Sequence, residues 1–325
     1  MNAGLSLTAA DDTRGVLIGL DIGGTKTDAV AVDGAGAIIG RIRRPTGHGD
    51  AAVVGDVIDS VRELQEDAGF DFSDVRSVGV GIPGVVDSAG GRVLHAVNLG
   101  VESLDLAALA GARLGVPVAV ENDVNAAALG AAAMLGADAG PSMAYLNLGT
   151  GVAAGIISDG ALWRGARGTA GEVGHISVDP AGRMCGCGQR GCIETLCGGG
   201  ALARAWGRPG AFPVRDIFDA ADAGDTEAQL LRADLVRGAA AAVRVLVLSA
   251  DVETVVFGGG LTALGERLGD GIRTALVAEA AGSPFLRSLH LDERIELLPS
   301  GSPAAALGAA LVGVHAPEQE IAIHG

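Results

Sequence analysis

The chain has 325 residues, of which 49% are hydrophobic and only 3% aromatic, and it carries a formal net charge of −16 at pH 7. That length suits two domains or one large one, with a core built from Ala, Val, Leu and Ile. The acidic balance argues against a nucleic-acid surface, which carries a basic footprint, but it leaves small anionic ligands open, because they need only local positive charge. Residues 1–15 hold two acids, one arginine and no apolar run, so they read as neither a signal peptide nor an anchor. No later stretch reaches the roughly 18 uncharged apolar residues of a membrane span. The expected location is cytoplasmic, and in that reducing compartment clustered cysteines read as metal ligands before disulfides.

In chain order, the first element is an apolar strand that runs into Asp21-Ile22-Gly23-Gly24-Thr25-Lys26. Adjacent glycines let backbone N–H groups approach an anion closely, and Thr25 adds a hydroxyl. Lys26 is the only lysine of the chain. Its compact, mobile ammonium suits a transferring phosphoryl group. Asp21, at the strand end, suits Mg²⁺ held directly or through water. Residues 78–81 and 116–120 read as short buried strands. The second of these passes through Glu121-Asn122-Asp123-Val124-Asn125 straight into an Ala-rich helix over 122–135. A strand C-terminus meeting a helix N-terminus is where open α/β sheets bind ligands. The helix dipole favours an ionised carboxylate there. Asp123 is therefore the candidate base that takes a proton from a hydroxyl attacking a phosphoryl group. Helix capping explains one Asn or Asp at this position; it does not explain four polar residues in near succession.

Residues 145–160 align without a gap on residues 19–34. Both segments read strand, Gly/Thr turn, strand, Asp-Gly turn, the pattern of a β-hairpin. A duplicated α/β domain follows from this, and Gly149-Thr150-Gly151 becomes a second phosphate turn. Further on lie Glu172-Val173-Gly174-His175 and Cys185-Gly186-Cys187-Gly188-Gln189-Arg190-Gly191-Cys192-Ile193-Glu194. His175 with Cys185, Cys187 and Cys192 makes a complete tetrahedral zinc set with no open position, which indicates structural Zn²⁺. Cys197 reads as a buried apolar residue. Glu172 and Glu194, fixed beside the ligands, suit the hydroxyls of a polyol. The second ring nitrogen of His175 suits them too. A long helix is expected over 228–249 and a strand over 255–257. That strand leads into Gly258-Gly259-Gly260, where a nucleoside can lie against bare backbone. A closing helix over 302–314 has Pro303 near its first turn and returns to the first domain. None of the three glycine turns is a Walker A motif or a dinucleotide fingerprint. The domain boundary is placed near 121–125. Residues 1–123 with about 302–325 form one domain, and 124–301 form the larger second one.

These motifs together resemble the ROK family of bacterial sugar kinases and related repressors, within the actin/hexokinase-like superfamily. The resemblance spans nearly the whole chain. It implies an α/β fold of two RNase-H-like domains around a central cleft, with a small zinc knuckle. It implies Mg-ATP on the glycine turns and Asp123 as the base acting on a sugar hydroxyl, usually the 6-OH. Sugar contacts implied are Gly84, Asn98, Asn122, Asp123, Glu172, His175 and Glu194. A homodimer is the family expectation. Three positions depart from the pattern. The Asn98-Leu99-Gly100-Val101 segment lacks the tryptophan often found there, Gly198 replaces a serine, and Ala131 replaces a glutamate. These leave the sugar open among glucose, N-acetylhexosamines, amino sugars such as kanosamine, fructose, allose and C7-cyclitols, and leave polyphosphate open as donor. A repressor needs a DNA-binding helix-turn-helix ahead of Asp21, and only 20 residues precede it here. The acidic charge opposes DNA binding as well. A non-catalytic sugar sensor is the remaining alternative.

Overall fold

The structure is a computed structural model that describes residues 15–314. Strand β1 (Val16–Ile22) buries Ile18, Leu20 and Ile22 completely. The chain reverses at Gly23–Thr25, where Gly23 N–H donates to Lys26 O at 2.9 Å, and returns antiparallel as β2 (Lys26–Val32). Strand β3 (Ile38–Pro45) is the sheet edge and alternates between exposed and half-buried residues, as an edge strand with one wet face should. Helix α1 (Asp50–Ala68) follows and ends at Gly69, whose φ of 71° supplies the left-handed cap. Strand β4 (Val75–Ile82) pairs in parallel with β1, a small hairpin β5 (Val85–Asp87) and β6 (Arg92–His95) intervenes, and helix α2 (Leu106–Leu114) leads to β7 (Val118–Asn122), parallel to β4. The sheet order is β3-β2-β1-β4-β7. Helices α1 and α2 cover one face with an aliphatic core that includes Val53, Val57, Leu64 and Leu106. Helix α3 (Asp123–Leu135) starts directly from β7.

The same plan recurs. Strands β8 (Ser142–Leu148) and β9 (Val152–Ser158) form an antiparallel hairpin, β10 (Ala161–Leu162) extends it, and β11 (Thr254–Gly258) and β12 (Ile295–Leu297) add in parallel on the other side. The order is β10-β9-β8-β11-β12. Between β9 and β11 come α4 (Ile193–Cys197), α5 (Gly199–Trp206), α6 (Pro213–Asp222) and α7 (Thr226–Ala250), and between β11 and β12 come α8 (Glu266–Ala280) and α9 (Pro284–Ser288). Gly238 lets α7 lie against α4, since a Cβ there would stand 2.7 Å from that of Leu196. The duplication expected from the two hairpins is therefore a duplication of whole sheets.

Helix α10 (Ala304–Val314) closes the chain against β1, β4 and α3. Its approach is closer than any side chain allows. A Cβ on Gly19 would fall 1.9 Å from Ala306 O, and one on Gly79 would fall 1.7 Å from Ala309 O. Gly130 of α3 and Gly308 of α10 meet in the same way, with Cβ positions 1.8 Å from Ala304 O and 1.7 Å from Ala126 O respectively. This contact corrects the expected boundary at 121–125. Helix α3 packs on α10 and stays with the first sheet, so one compact unit runs to Ala137 and takes up the chain again from Pro303, while the other is Asp138–Ser302. Among the described residues no helix is long and apolar enough to cross a membrane. Gly308→Ala drives a methyl group into backbone. It is expected to lower the free energy of unfolding by about 3 kcal/mol in urea titration, and unchanged stability would refute the packing described.

Candidate active site

In the first unit the site grows from the β7–α3 junction. Asn122 has extended backbone (φ −60°, ψ 140°) and caps the helix: its side-chain oxygen accepts from the N–H groups of Val124 at 3.0 Å and Asn125 at 3.2 Å. Its amide nitrogen donates to Gly84 O at 3.2 Å. Glu121 is 1% exposed and accepts from Asn122 N–H at 3.0 Å and from the Asn125 side chain at 3.1 Å. Glu121 and Asn125 thus form a buried brace under the cap. Glu121 was not among the predicted site residues; its signal was a carboxylate closing an apolar strand. The cap belongs to Asn122, and the next residue, Asp123, opens the helix with its Oδ1 accepting from Val124 N–H at 3.0 Å.

Asp21, the last residue but one of β1, feels the charge of Asp123. Burial first, then the Asp123 and Asp28 carboxylates, raise the Asp21 carboxyl to about 7, against the opposing pull of Lys26 and Arg43. Two acids so placed form an electronegative pair that suits a divalent cation. Across the hairpin, Asp28 faces Asp21 in register and is gripped by Arg41 at 2.9 and 2.8 Å and by Arg43 at 3.2 and 2.5 Å. Asn98 lies in a short 3-10 turn (Val97–Leu99) beside the glycine turn, its Cβ 3.3 Å from where a Gly24 Cβ would be. Gly84 needs to be glycine: φ is 103° and a Cβ would fall 2.0 Å from His95 O. Thr25 and Lys26 are exposed at the tip. The first unit therefore joins Gly24 to Asn98, Asn122 to Gly84, and Asp21 to Asp123.

In the second unit the ligand atoms of His175, Cys185, Cys187 and Cys192 all lie within 4.8 Å of one another. Cys185 Sγ stands 3.8 Å from His175 Nδ1, and Cys187 Sγ 3.7 Å from Cys192 Sγ. A tetrahedron with metal–sulfur bonds of about 2.3 Å has edges of about 3.8 Å, so the donor set fits Zn²⁺. Its spacing is far too long for a disulfide. Gly191 is required at the turn, with φ 68° and a Cβ position 1.6 Å from Asp179 O. Hydrogen bonds from Gln189 hold the Cys187 thiol down at about 6, and burial with the neighbouring thiols pushes Cys192 up to about 12. Cys197 is buried outside the cluster, with its thiol donating to Ile193 O at 3.5 Å.

The Glu172–His175 turn lies flat on β9, because Gly171 and Gly174 have no Cβ to strike Ala154 O and Val152 O. With Nδ1 in the cluster, His175 keeps Nε2 for another partner. Glu194 of α4 accepts from Val152 N–H at 3.1 Å through Oε2. Gly199 and Gly200 N–H donate to Gly149 O and Thr150 O at 2.8 and 2.9 Å. Gly259, with φ 85°, packs on the end of β8, where a Cβ would lie 2.5 Å from Leu148 O. The Gly149–Gly151 and Gly258–Gly260 turns are thus neighbours. A cavity of about 260 Å³ is lined by Arg183, Met184, Cys185, Glu194 and Arg204. Two of the three departures have a packing reason. A Cβ on Gly198 would stand 2.9 Å from the Glu194 Cγ, and Ala131 is wholly buried in α3. Val101 is buried and bridges Ala96.

The model of the ROK family matches residues 17–314, and the chain belongs to that family. It is 31% identical to a glucokinase of Halalkalibacterium halodurans over 77% of this chain and 82% of that one. It is 32% identical to an N-acetylmannosamine kinase of Yersinia pseudotuberculosis over 90% and 97%. Among solved structures it is similar to a ROK family glucokinase of Streptomyces griseus in complex with glucose and AMPPNP, with a TM-score of 0.75, 34% identity, and coverage of 92% of this chain and 99% of that one. The actin/hexokinase-like α/β fold is that of the family.

Metal analysis of the purified protein is expected to find about one zinc ion per chain, lost in Cys192→Ser; metal-free protein with four free thiols would contradict the assignment. Asp28 supplies a pH test. Burial alone would raise its carboxyl, but the hydrogen bonds from Arg41 and Arg43 outweigh it and hold the group below the usual range. Its contribution is therefore present above the unfolded pKa and lost as pH falls through the folded one. Asp28→Asn is expected to cost about 2 kcal/mol at neutral pH, with the gap to wild type closing in acid; a gap independent of pH would refute the ion pair's role.

Proposed function

We propose that this ROK sugar kinase transfers the γ-phosphoryl group of ATP to the 6-hydroxyl of glucose or a glucose-like hexose, with Asp123 as general base. The observation that carries this reading is the division of labour at the β7–α3 junction. Asn122 caps the helix and Glu121 braces the cap, so capping does not account for the Asp123 carboxylate. The N-terminal dipole of α3 and the Val124 N–H stabilise its ionised form. A sugar hydroxyl donates its proton to that carboxylate as its oxygen attacks the γ-phosphorus. The bond to the bridging oxygen of the β-phosphate breaks, and its electron pair leaves on ADP.

In this reading the nucleotide phosphates lie on Gly23, Gly24, Thr25 and Lys26 and on the turns at Gly149–Gly151 and Gly258–Gly260. Lys26 offsets phosphate charge, and Mg²⁺ supplies further charge neutralisation when held at Asp21. Sugar hydroxyls are assigned to Gly84, Asn98 and Asn122 in the first unit. In the second they are assigned to Glu172, His175 and Glu194. His175, Cys185, Cys187 and Cys192 would hold Zn²⁺ in a closed, structural set that fixes the His175 ring. The same reading takes the chain to be a cytoplasmic homodimer. A second reading is N-acetylmannosamine as acceptor, because a relative of that name matches this chain at an identity similar to that of the glucokinases.

An ADP-release assay over a panel of hexoses and N-acetylhexosamines tests both readings, and a parallel series with polyphosphate in place of ATP is read by sugar-phosphate formation. Turnover on at least one 6-hydroxyl sugar is expected, and Asp123→Asn should lower kcat about a thousandfold while nucleotide affinity stays within about threefold. No turnover on any sugar, or full activity of the Asn variant, would overturn the mechanism.

A further inference from the structure

We propose that Glu194 is a positioning residue for the nucleotide. Through Val152 N–H its carboxylate fixes the Gly149–Gly151 turn, so the Cys/His knuckle sets affinity for the nucleotide as well as for the sugar. The proposal rests on the reading of that turn as a phosphate site.

The chain of contacts is continuous. Cys192, one of the four cluster residues, is the residue from which α4 starts. Its segment is pinned to the Glu172–His175 side by Ile193 N–H donating to Ile176 O at 3.0 Å, and by the bridge between Ser177 and Cys192. Two residues on, Glu194 Oε2 accepts from Val152 N–H at 3.1 Å, at the first residue after the turn. A Cβ on Gly151 would stand 2.7 Å from that same oxygen, so the bare Gly151 backbone is what lets the carboxylate close on the turn. From the other side the start of α5 holds it, with Gly199 and Gly200 N–H on the Gly149 and Thr150 carbonyls. The turn carries no charged side chain of its own, and its binding power lies in backbone N–H direction. Whatever sets that direction sets affinity. A carboxylate that served only the sugar would have no need of this bond.

The test is titration of a fluorescent ADP analogue into the full-length protein without sugar. Wild type is compared with Glu194→Gln, Glu194→Leu and Glu194→Ala, and with zinc-stripped protein before and after zinc is restored. The Gln amide oxygen still accepts from Val152 N–H, so Gln should bind within about threefold of wild type. Leu and Ala have no acceptor and should bind about tenfold or more weakly. Ala leaves room where Leu fills it, and circular dichroism reports whether each variant is folded. Stripping zinc should weaken binding, and zinc should restore it. Rescue by Gln separates positioning from a general loss of structure. Wild-type affinity in folded Leu and Ala variants, or in stripped protein, would overturn the proposal. A wild type that binds no nucleotide would instead overturn the kinase reading on which it stands.

Discussion

Backbone contact between α3 and α10 at Gly130 and Gly308 is the constraint on which the first unit depends. A Cβ on either residue would stand within 2 Å of the other helix's backbone, so the two helices touch along their main chains. Gly19 and Gly79 extend the same contact to β1 and β4. The close approach fixes the axis of α3 against the sheet, and with it the place where the helix begins. Asp123 is the first residue of that helix, beside the end of β1 that carries Asp21. The geometry of the proposed base is thus set by Gly130 in its own helix and by Gly308, Gly19 and Gly79, which are remote from it in sequence.

The second unit adds hydrogen bonds to glycine contacts of the same kind. Its Gly149–Gly151 turn is uncharged and takes its shape from its neighbours: Glu194 on one side, the start of α5 on the other, and Gly259 beneath. The Cys/His knuckle lies at the root of this arrangement. Its closed donor set leaves no coordination position for chemistry, so its contribution is rigidity. Burial of apolar area could hold a loop here only loosely. Four donors around one ion would hold Cys192 and His175, and through them Glu194 and Glu172, in one orientation.

Local features were legible in the sequence because their causes are local. The two hairpins were visible as strand, Gly/Thr turn and Asp-Gly turn. The start of α3 was visible as a cap, and the His/Cys cluster as three cysteines and a histidine at short spacing. The long helix expected over 228–249 runs Thr226–Ala250, with Asp225 as its cap. What sequence could not give were contacts between distant segments. The boundary was misplaced by about a dozen residues because the Gly130–Gly308 contact, not any composition break, assigns α3 to the first unit. Capping propensity cannot choose between Asn122 and Asp123, since both residue types cap well; the structure chooses Asn122. Nothing local signals that Glu194 reaches Val152 N–H, or that Gly198 is small because it meets Glu194.

The central claim is that Asp123 drives phosphoryl transfer to a sugar 6-hydroxyl. Phosphorus NMR tests it most directly, on protein mixed with Mg-ATP and equal amounts of glucose and N-acetylmannosamine. The account predicts ADP together with a phosphomonoester signal split by the two protons on C6, and no such signal with Asp123→Asn. ATP left unchanged, or consumed to inorganic phosphate with no sugar ester, would contradict it.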